Sequence, residues 1–301
     1  MPNENSRYLP LIAFCALGVI WGSNFIYMKM AAGLITPLQV VFYRVLFGLI
    51  PVFLYALISG SLRWQHLKHS AHFFVMGLLA TAIYYYGFVM GSSLLLSGVA
   101  GAVSGAIPLF SFLLAVVFIA EEKATPLKLA GIVVGFIGVV IIGRPSGADL
   151  ASTNLEGVLY MIIGSLSVGA SFVYAKKFIT PLKIPAAALT TYQLALGLLV
   201  LALFTSFDGM GEIFAHTHAA LGLVIGLGLL GTGLAYIIYY YIVENLGAVT
   251  ASSVTYIPPV VALLIGALIV GEPIALADYG ATLLIFAGVF LLNLKRRPER
   301  R

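Results

Sequence analysis

The chain is predicted to be an all-α membrane protein, with ten transmembrane helices arranged as two inverted five-helix repeats. Three observations carry this. Of 301 residues, 61% are hydrophobic and 9% charged, and the mean hydropathy is +1.07; soluble domains are roughly a quarter charged. Apolar runs close to the ~20 residues that cross a ~30 Å hydrocarbon core recur ten times. The second half is also a faint copy of the first. Gly22-Ser23-Asn24-Phe25-Ile26-Tyr27-Met28-Lys29 returns as Gly169-Ala170-Ser171-Phe172-Val173-Tyr174-Ala175-Lys176, and Thr36-Pro37-Leu38 as Thr180-Pro181-Leu182. Tyr43 and Gly48 match Tyr192 and Gly197, Ile107-Pro108 matches Ile257-Pro258, Glu122 matches Glu272, and Gly138 matches Gly288. A unit with an odd number of spans, repeated in tandem, enters the bilayer from opposite sides. The halves, placed at 1–147 and 148–301, are then related by an axis in the membrane plane, as in secondary transporters that hold substrate between their repeats.

The first span, 10–30, is too long for a signal-peptide core and lacks a convincing cleavage site, so it is kept as a mature span. It contains the sole cysteine, Cys15, which leaves no intrachain disulfide and no cysteine metal site. The second span, 37–58, carries Arg44; the third, 72–92, carries Tyr84 to Tyr86; the fourth, 97–119, is interrupted by Pro108; and the fifth, 126–143, is short. The second copy supplies 157–177, 185–205, 219–243, 248–270 and 275–294. All are expected to be helices, because lipid cannot satisfy the backbone of an open strand and the runs are too long and uniformly apolar for barrel strands.

Ten spans place both termini on one side. That side holds Arg7, Arg63, Lys68, Lys123, Lys128, Lys176, Lys177, Lys183 and the terminal Lys295, Arg296, Arg297, Arg300 and Arg301, against Lys29 and Arg144 on the other. Such an asymmetry predicts cytoplasmic termini. The net charge of +5 comes largely from that terminal run, which suits anionic lipid headgroups rather than nucleic acid.

Arg44 is the one basic residue inside a span, seven residues after Pro37 and so about 10 Å below the boundary at ~1.5 Å per residue. An intramembrane charge is costly and faces a polar cavity by default, or else snorkels to the interface. The carboxylates all fall at span ends, in loops or in tails, so no buried acid offers a proton relay, and transport down the solute's own gradient is expected. Tyrosines Tyr84, Tyr85, Tyr236 and Tyr256 offer an aromatic face with a hydrogen-bonding tip, fitting either a cavity wall or an interfacial belt. Asn24, beside Trp21, either binds a solute or bonds a neighbouring helix. Pro108 and Pro258 occupy matching places and predict paired kinks, which suit a gate or simple curvature. Gly98, Gly101, Ser104 and Gly105 give span four a small-residue surface for close helix contact. Lys29 and Lys176 end their spans and are expected to snorkel. His66, His69 and His72 lack a supporting carboxylate or cysteine and are expected on a solvated face.

An intramembrane hydrolase would need a buried serine with a base, or paired buried aspartates, and neither pattern occurs. No phosphate-loop motif is present for direct ATP drive. No catalytic residue, metal or cofactor is therefore expected, and a single chain suffices for the arrangement.

These residues bring the chain close to a known family: it resembles the drug/metabolite transporter superfamily, specifically its ten-helix EamA-type exporters. The resemblance rests on Trp21-Gly22-Ser23-Asn24-Phe25 with Lys29, Tyr43-Arg44, Pro108 followed by Glu122, and Pro258 followed by Gly271-Glu272-Pro273. It implies a basket of ten helices around a central cavity opened alternately to each face, in the inner membrane. Within that family the chain is similar to bacterial exporters of aromatic amino acids, which implies a small-molecule substrate of that class, touched by Trp21, Asn24, Tyr43, Arg44, Tyr84, Tyr85, Ser104, Tyr236 and Tyr256. Efflux of drugs or other metabolites, or a solute channel, are the alternatives. Ala120-Glu121-Glu122 departs from the Gly-Glu pair typical of that corner.

Overall fold

The computed structural model describes residues 4–143 and 154–294; Arg144, Asp149, the repeat boundary at 147 and the terminal basic run lie outside them. All regular structure among these residues is helical, and ten rods account for it apart from a short 3-10 turn, Met210–Ala215. They are α1 (Glu4–Ala32), α2 (Pro37–Ile58), α3 (Trp64–Leu94), α4 (Ser97–Phe118), α5 (Pro126–Gly143), α6 (Leu155–Leu182), α7 (Ala186–Phe204), α8 (Thr217–Leu246), α9 (Thr250–Val270) and α10 (Leu276–Asn293). Nine are long and apolar enough to cross a membrane, and the tenth, within α5, is a shorter apolar helix. The molecule is a multi-pass membrane protein of two inverted five-helix repeats.

The packing obeys the exchange of repeats. Taking α1 to α6, α2 to α7 and so on, the contact of α2 with α8 becomes that of α7 with α3. Likewise α3 on α6 becomes α8 on α1, and α4 on α6 becomes α9 on α1. The pairs α2–α7, α4–α9 and α5–α10 map onto themselves. A contact pattern closed under this exchange is the signature of a pseudo-twofold axis, and the odd helix count per repeat lays that axis in the membrane plane.

Association in lipid gains little from the hydrophobic effect, so close packing must hold the rods together. Glycines provide it. A Cβ on Gly131 would meet the Gly288 carbonyl at 2.6 Å and one on Gly138 the Ala281 carbonyl at 2.5 Å, so α5 and α10 meet main chain to main chain. At the α4–α9 crossing, Gly98 approaches Leu263, Gly101 faces Ala262, and Gly105 lies against Pro259, the close contact expected of that small-residue surface. Large side chains such as Ile58, Leu203 and Leu276 point outward, exposed by 80% or more, as lipid-facing residues do.

The helix is interrupted just before each of the two matching prolines. In α4 the helix tightens at Gly105 and Ala106, whose N–H groups bond three residues back to Ala102 and Val103, and restarts at Ile107 with Pro108 in its first turn. In α9 a 3-10 turn over Ser253–Tyr256 precedes a helix restarting at Ile257 with Pro258 in the same place. Proline's missing N–H is harmless in a first turn, so each break lies just upstream of its proline.

One sequence correspondence is not a structural one. Thr36 caps α2, with Pro37 opening the helix and Gln39 closing the box: the Thr36 N–H donates to Gln39 Oε1 at 2.9 Å and the Gln39 N–H to Thr36 Oγ1 at 3.4 Å. Thr180-Pro181-Leu182 instead forms a 3-10 turn at the end of α6, and α7 begins after Pro185. Lys183, at φ 52°, turns the chain between them.

Candidate functional site

Arg44 is the centre of a buried polar cluster. Its helix places it on the face packed against α8, and it is 3% exposed, so it turns inward rather than snorkelling. Its Nε donates to Thr232 Oγ1 at 3.1 Å, one Nη to Met28 Sδ at 3.4 Å, and the other Nη to the Asn24 side-chain oxygen at 3.2 Å. The amide orientation of Asn24 follows from its neighbours, since its nitrogen then donates to the Ile20 carbonyl at 3.1 Å. The guanidinium carbon lies 4.0 Å from the centroid of the Tyr85 ring, a cation–π contact. Helices α1, α2, α3 and α8 thus meet at one charge.

Local backbone makes this possible. Residues Leu78–Ile83 in α3 and Gly222–Leu234 in α8 are wound as π-helix, a widening that recurs at functional sites. In α8 it lets Thr232 Oγ1 donate five residues back to the Leu227 carbonyl at 2.9 Å while accepting from Arg44. Gly231 sits so close to the Asn24 amide that a side chain there has no room, and Gly48 abuts Thr232 in the same way.

The second repeat holds a neutral version of this corner. Extending the match of Tyr43 with Tyr192, Arg44 corresponds to Gln193, whose Nε2 donates to Thr81 Oγ1 at 3.3 Å in the π-helical part of α3. Gly197 lies against Thr81 as Gly48 does against Thr232.

Beside Arg44 stand the aromatic residues. Tyr84 and Tyr85 are 4.8 Å apart by centroid, Tyr84 lies 4.6 Å from Phe88, and Tyr236 stacks on Tyr240 at 6.2 Å. Tyr236 lies near Tyr85, and Tyr240 bonds to Thr190 on α7. Tyr84 and Tyr236 stay partly exposed while Tyr85 is buried. Asn24, Arg44, Tyr84, Tyr85 and Tyr236 therefore come together.

The other candidates lie elsewhere. Tyr43 turns to the α7–α8 connection, stacked on Phe47 at 5.8 Å, edge-on to Phe214 at 5.5 Å, its hydroxyl 3.5 Å from the Met210 carbonyl. Trp21 packs on Tyr239 with centroids 6.0 Å apart. Ser104 donates to the Gly101 carbonyl at 2.6 Å. Tyr256 accepts from Asn293 at 2.9 Å in a separate cleft of about 280 Å³ between α9 and α10, lined by Phe286, Val289 and Phe290. His72 is not simply solvated: its Nδ1 is 2.7 Å from the Tyr174 hydroxyl on α6.

Sequence reasoning missed two features. Thr232 was one, though the return of Leu78-Leu79-Ala80-Thr81 as Leu229-Leu230-Gly231-Thr232 marks the two threonines as equivalent positions. The other is a latch. Lys29 does not snorkel; its Nζ pairs with Glu272 Oε1 at 3.0 Å. The Glu272 side chain, 5% exposed, also accepts from the N–H and hydroxyl of Ser97, each at 2.9 Å, and from the Gly98 N–H at 3.1 Å. Free N–H groups in the first turn of α4 hold the carboxylate, as helix starts hold anions. Burial alone raises this carboxyl, but the bonds from Ser97, Gly98 and Lys29 outweigh it and hold it below the ordinary value. The latch ties the α9–α10 connection to the end of α1 and the start of α4, on the face opposite the chain ends. Its counterpart is not engaged: Glu122 pairs with Lys128 at 2.6 Å, and Lys176 has no ion pair among the described residues.

Two inverted repeats around a buried polar and aromatic centre define a membrane transporter. Both halves match one family, the EamA-like transporter family, over residues 9–144 and 155–294, and the chain belongs to it. It is 28% identical to the uncharacterized inner membrane transporter YedA of Escherichia coli K12, covering 96% of this chain and 92% of the relative. It is 25% identical to an uncharacterized transporter of Archaeoglobus fulgidus, covering 92% and 95%, and 25% identical to the uncharacterized transporter YoaV of Bacillus subtilis, covering 93% and 95%. A solved crystal structure with 22% identity superposes with a TM-score of 0.61 over 94% of this chain and 95% of that one, a likeness of fold.

Proposed function

We propose that the protein exports neutral amino acids, aromatic or large, across the inner membrane by alternating access, with both termini in the cytoplasm. The observation that carries this reading is the unequal state of two equivalent latches. Lys29 and Glu272 close one face, while Lys176 and Glu122, their counterparts, stand apart at the other. A carrier that exposes one site to each side in turn needs two such closures that never hold together. The broken helices α4 and α9 cross at the pseudo-axis, where a change of bend rocks one half on the other. The substrate is placed by Arg44 and Asn24 at its polar end and by Tyr84, Tyr85 and Tyr236 at its apolar end. No acid sits near that centre in the sequence, which favours movement down the solute's own gradient over proton coupling.

The test is purified protein in liposomes loaded with labelled phenylalanine, with and without a pH gradient. Saturable counterflow that ignores the gradient is the expected outcome. Flux without counterflow would make the protein a channel, and accumulation driven by the gradient would defeat the uniport reading. Tagging both ends in intact cells checks the sidedness.

A further inference from the structure

We propose, building on the carrier reading, that the solute's anionic group is what this site recognises: Arg44 binds a carboxylate joined to an aromatic or large apolar body, and the substrate's amino group contributes little. Arg44 is a permanent cation, buried at membrane depth where an isolated charge is strongly unfavourable. All four of its neighbours, Thr232, Met28, Asn24 and the Tyr85 ring, are neutral. The two ion pairs among the described residues, Lys29–Glu272 and Lys128–Glu122, lie at helix ends and do not involve it. Its three hydrogen bonds leave about two of the five guanidinium N–H donors for a ligand.

The other repeat shows what the fold itself requires. Gln193 makes the equivalent bond to Thr81 with an uncharged amide, and Gly197 packs against that threonine as Gly48 does against Thr232. Bridging the second helix of a repeat to a π-segment threonine therefore needs only a neutral donor. The positive charge at position 44 exceeds that need, and a carboxylate is its natural complement, since guanidinium and carboxylate match as a fork. A substrate ammonium finds no such complement among Asn24, Thr232 and the tyrosines, which offer only neutral oxygens. The adjoining Tyr84, Tyr85 and Tyr236 supply the apolar surface for the body.

The experiment compares three labelled solutes sharing one ring: L-phenylalanine, 3-phenylpropanoate without the amine, and 2-phenylethylamine without the carboxylate. Counterflow is measured in liposomes holding the wild-type protein, with protein-free vesicles as the baseline for passive leak. The acid is expected to exchange within a few-fold of the amino acid, and the amine not above baseline. Arg44→Gln, which copies the second repeat, is expected to lower exchange of the acid at least tenfold, with Arg44→Lys keeping part of it. Amine exchange equal to that of the acid overturns the proposal, as does an Arg44→Gln protein that still prefers the acid. Should Arg44→Gln fail to insert, the wild-type comparison of acid with amine decides alone. Exchange of the acid without phenylalanine supports this proposal and rejects the amino acid reading; exchange of phenylalanine without the acid does the reverse; exchange of none rejects both.

Discussion

The Arg44–Thr232 corner and the Gln193–Thr81 corner are one construction made twice. Each joins the second helix of a repeat to a π-helical segment of the other repeat, through a long polar side chain and a threonine hydroxyl, over a glycine. They differ in charge and in the third partner. Asn24 accepts from Arg44, whereas Ser171, its counterpart on α6, donates to the Val168 carbonyl at 2.7 Å within its own helix. Duplication has kept the packing and left the cation on one side only, so the packing belongs to the scaffold, and the proposed solute contact rests on the cation alone.

Making the second corner charged is the harshest way to break this comparison. Gln193→Arg adds a buried cation with no Asn24 equivalent, and the protein is expected to lose about 3 kcal/mol or more of stability, read as a lower midpoint of thermal unfolding in detergent. Making the first corner neutral is gentler on the fold. Arg44→Gln should keep insertion and helical content by circular dichroism, while transport falls by the ~1.5–3 kcal/mol of charge-assisted bonds, or about 10- to 150-fold. An Arg44→Gln protein with wild-type flux would show that the charge is idle.

The glycines sharpen the comparison further. A Cβ on Gly48 would lie 2.5 Å from Thr232 Cγ2, against 2.9 Å between one on Gly197 and Thr81 Cγ2. Both Gly→Ala changes overpack and should destabilise by about 1–3 kcal/mol, Gly48→Ala more than Gly197→Ala; the reverse order in paired melts would contradict the geometry. The smallest effect belongs to the latch. Glu272 has its carboxyl held below the ordinary value of 4.5, so its stabilising contribution is complete above that value and fades as pH falls through the lower, folded one. The stability gap between wild type and Glu272→Gln should therefore shrink on acidification, and a gap that widened would refute the latch.

Much of the architecture was legible in the sequence because a bilayer is a demanding solvent. It forces runs of about twenty apolar residues, so nine of the ten spans were plain and the short α5 was still countable. The repeat then fixed the inversion by parity. Side-chain meetings were harder to read, because Arg44 and Thr232 stand 188 residues apart and a π-helical turn, invisible in composition, sets the direction of the threonine. Tyr256 illustrates the same difficulty: its depth along α9 was readable, but the face it takes, toward Asn293 and a side cleft, depends on the 3-10 turn over Ser253–Tyr256. Lys29 looked like any interfacial lysine until the α9–α10 connection brought Glu272 over it.

The seam between α5 and α10 has a mechanical consequence. Backbones that touch through Gly131, Gly135, Gly138 and Gly288, with the Leu291 and Ile285 side chains tight beside them, leave little room to slide, and few bonds tie this pair to the remaining eight rods. The final helix of each repeat is thus riveted to its twin, so that in the proposed alternation the other helices would swing about that rivet while it keeps the two halves joined.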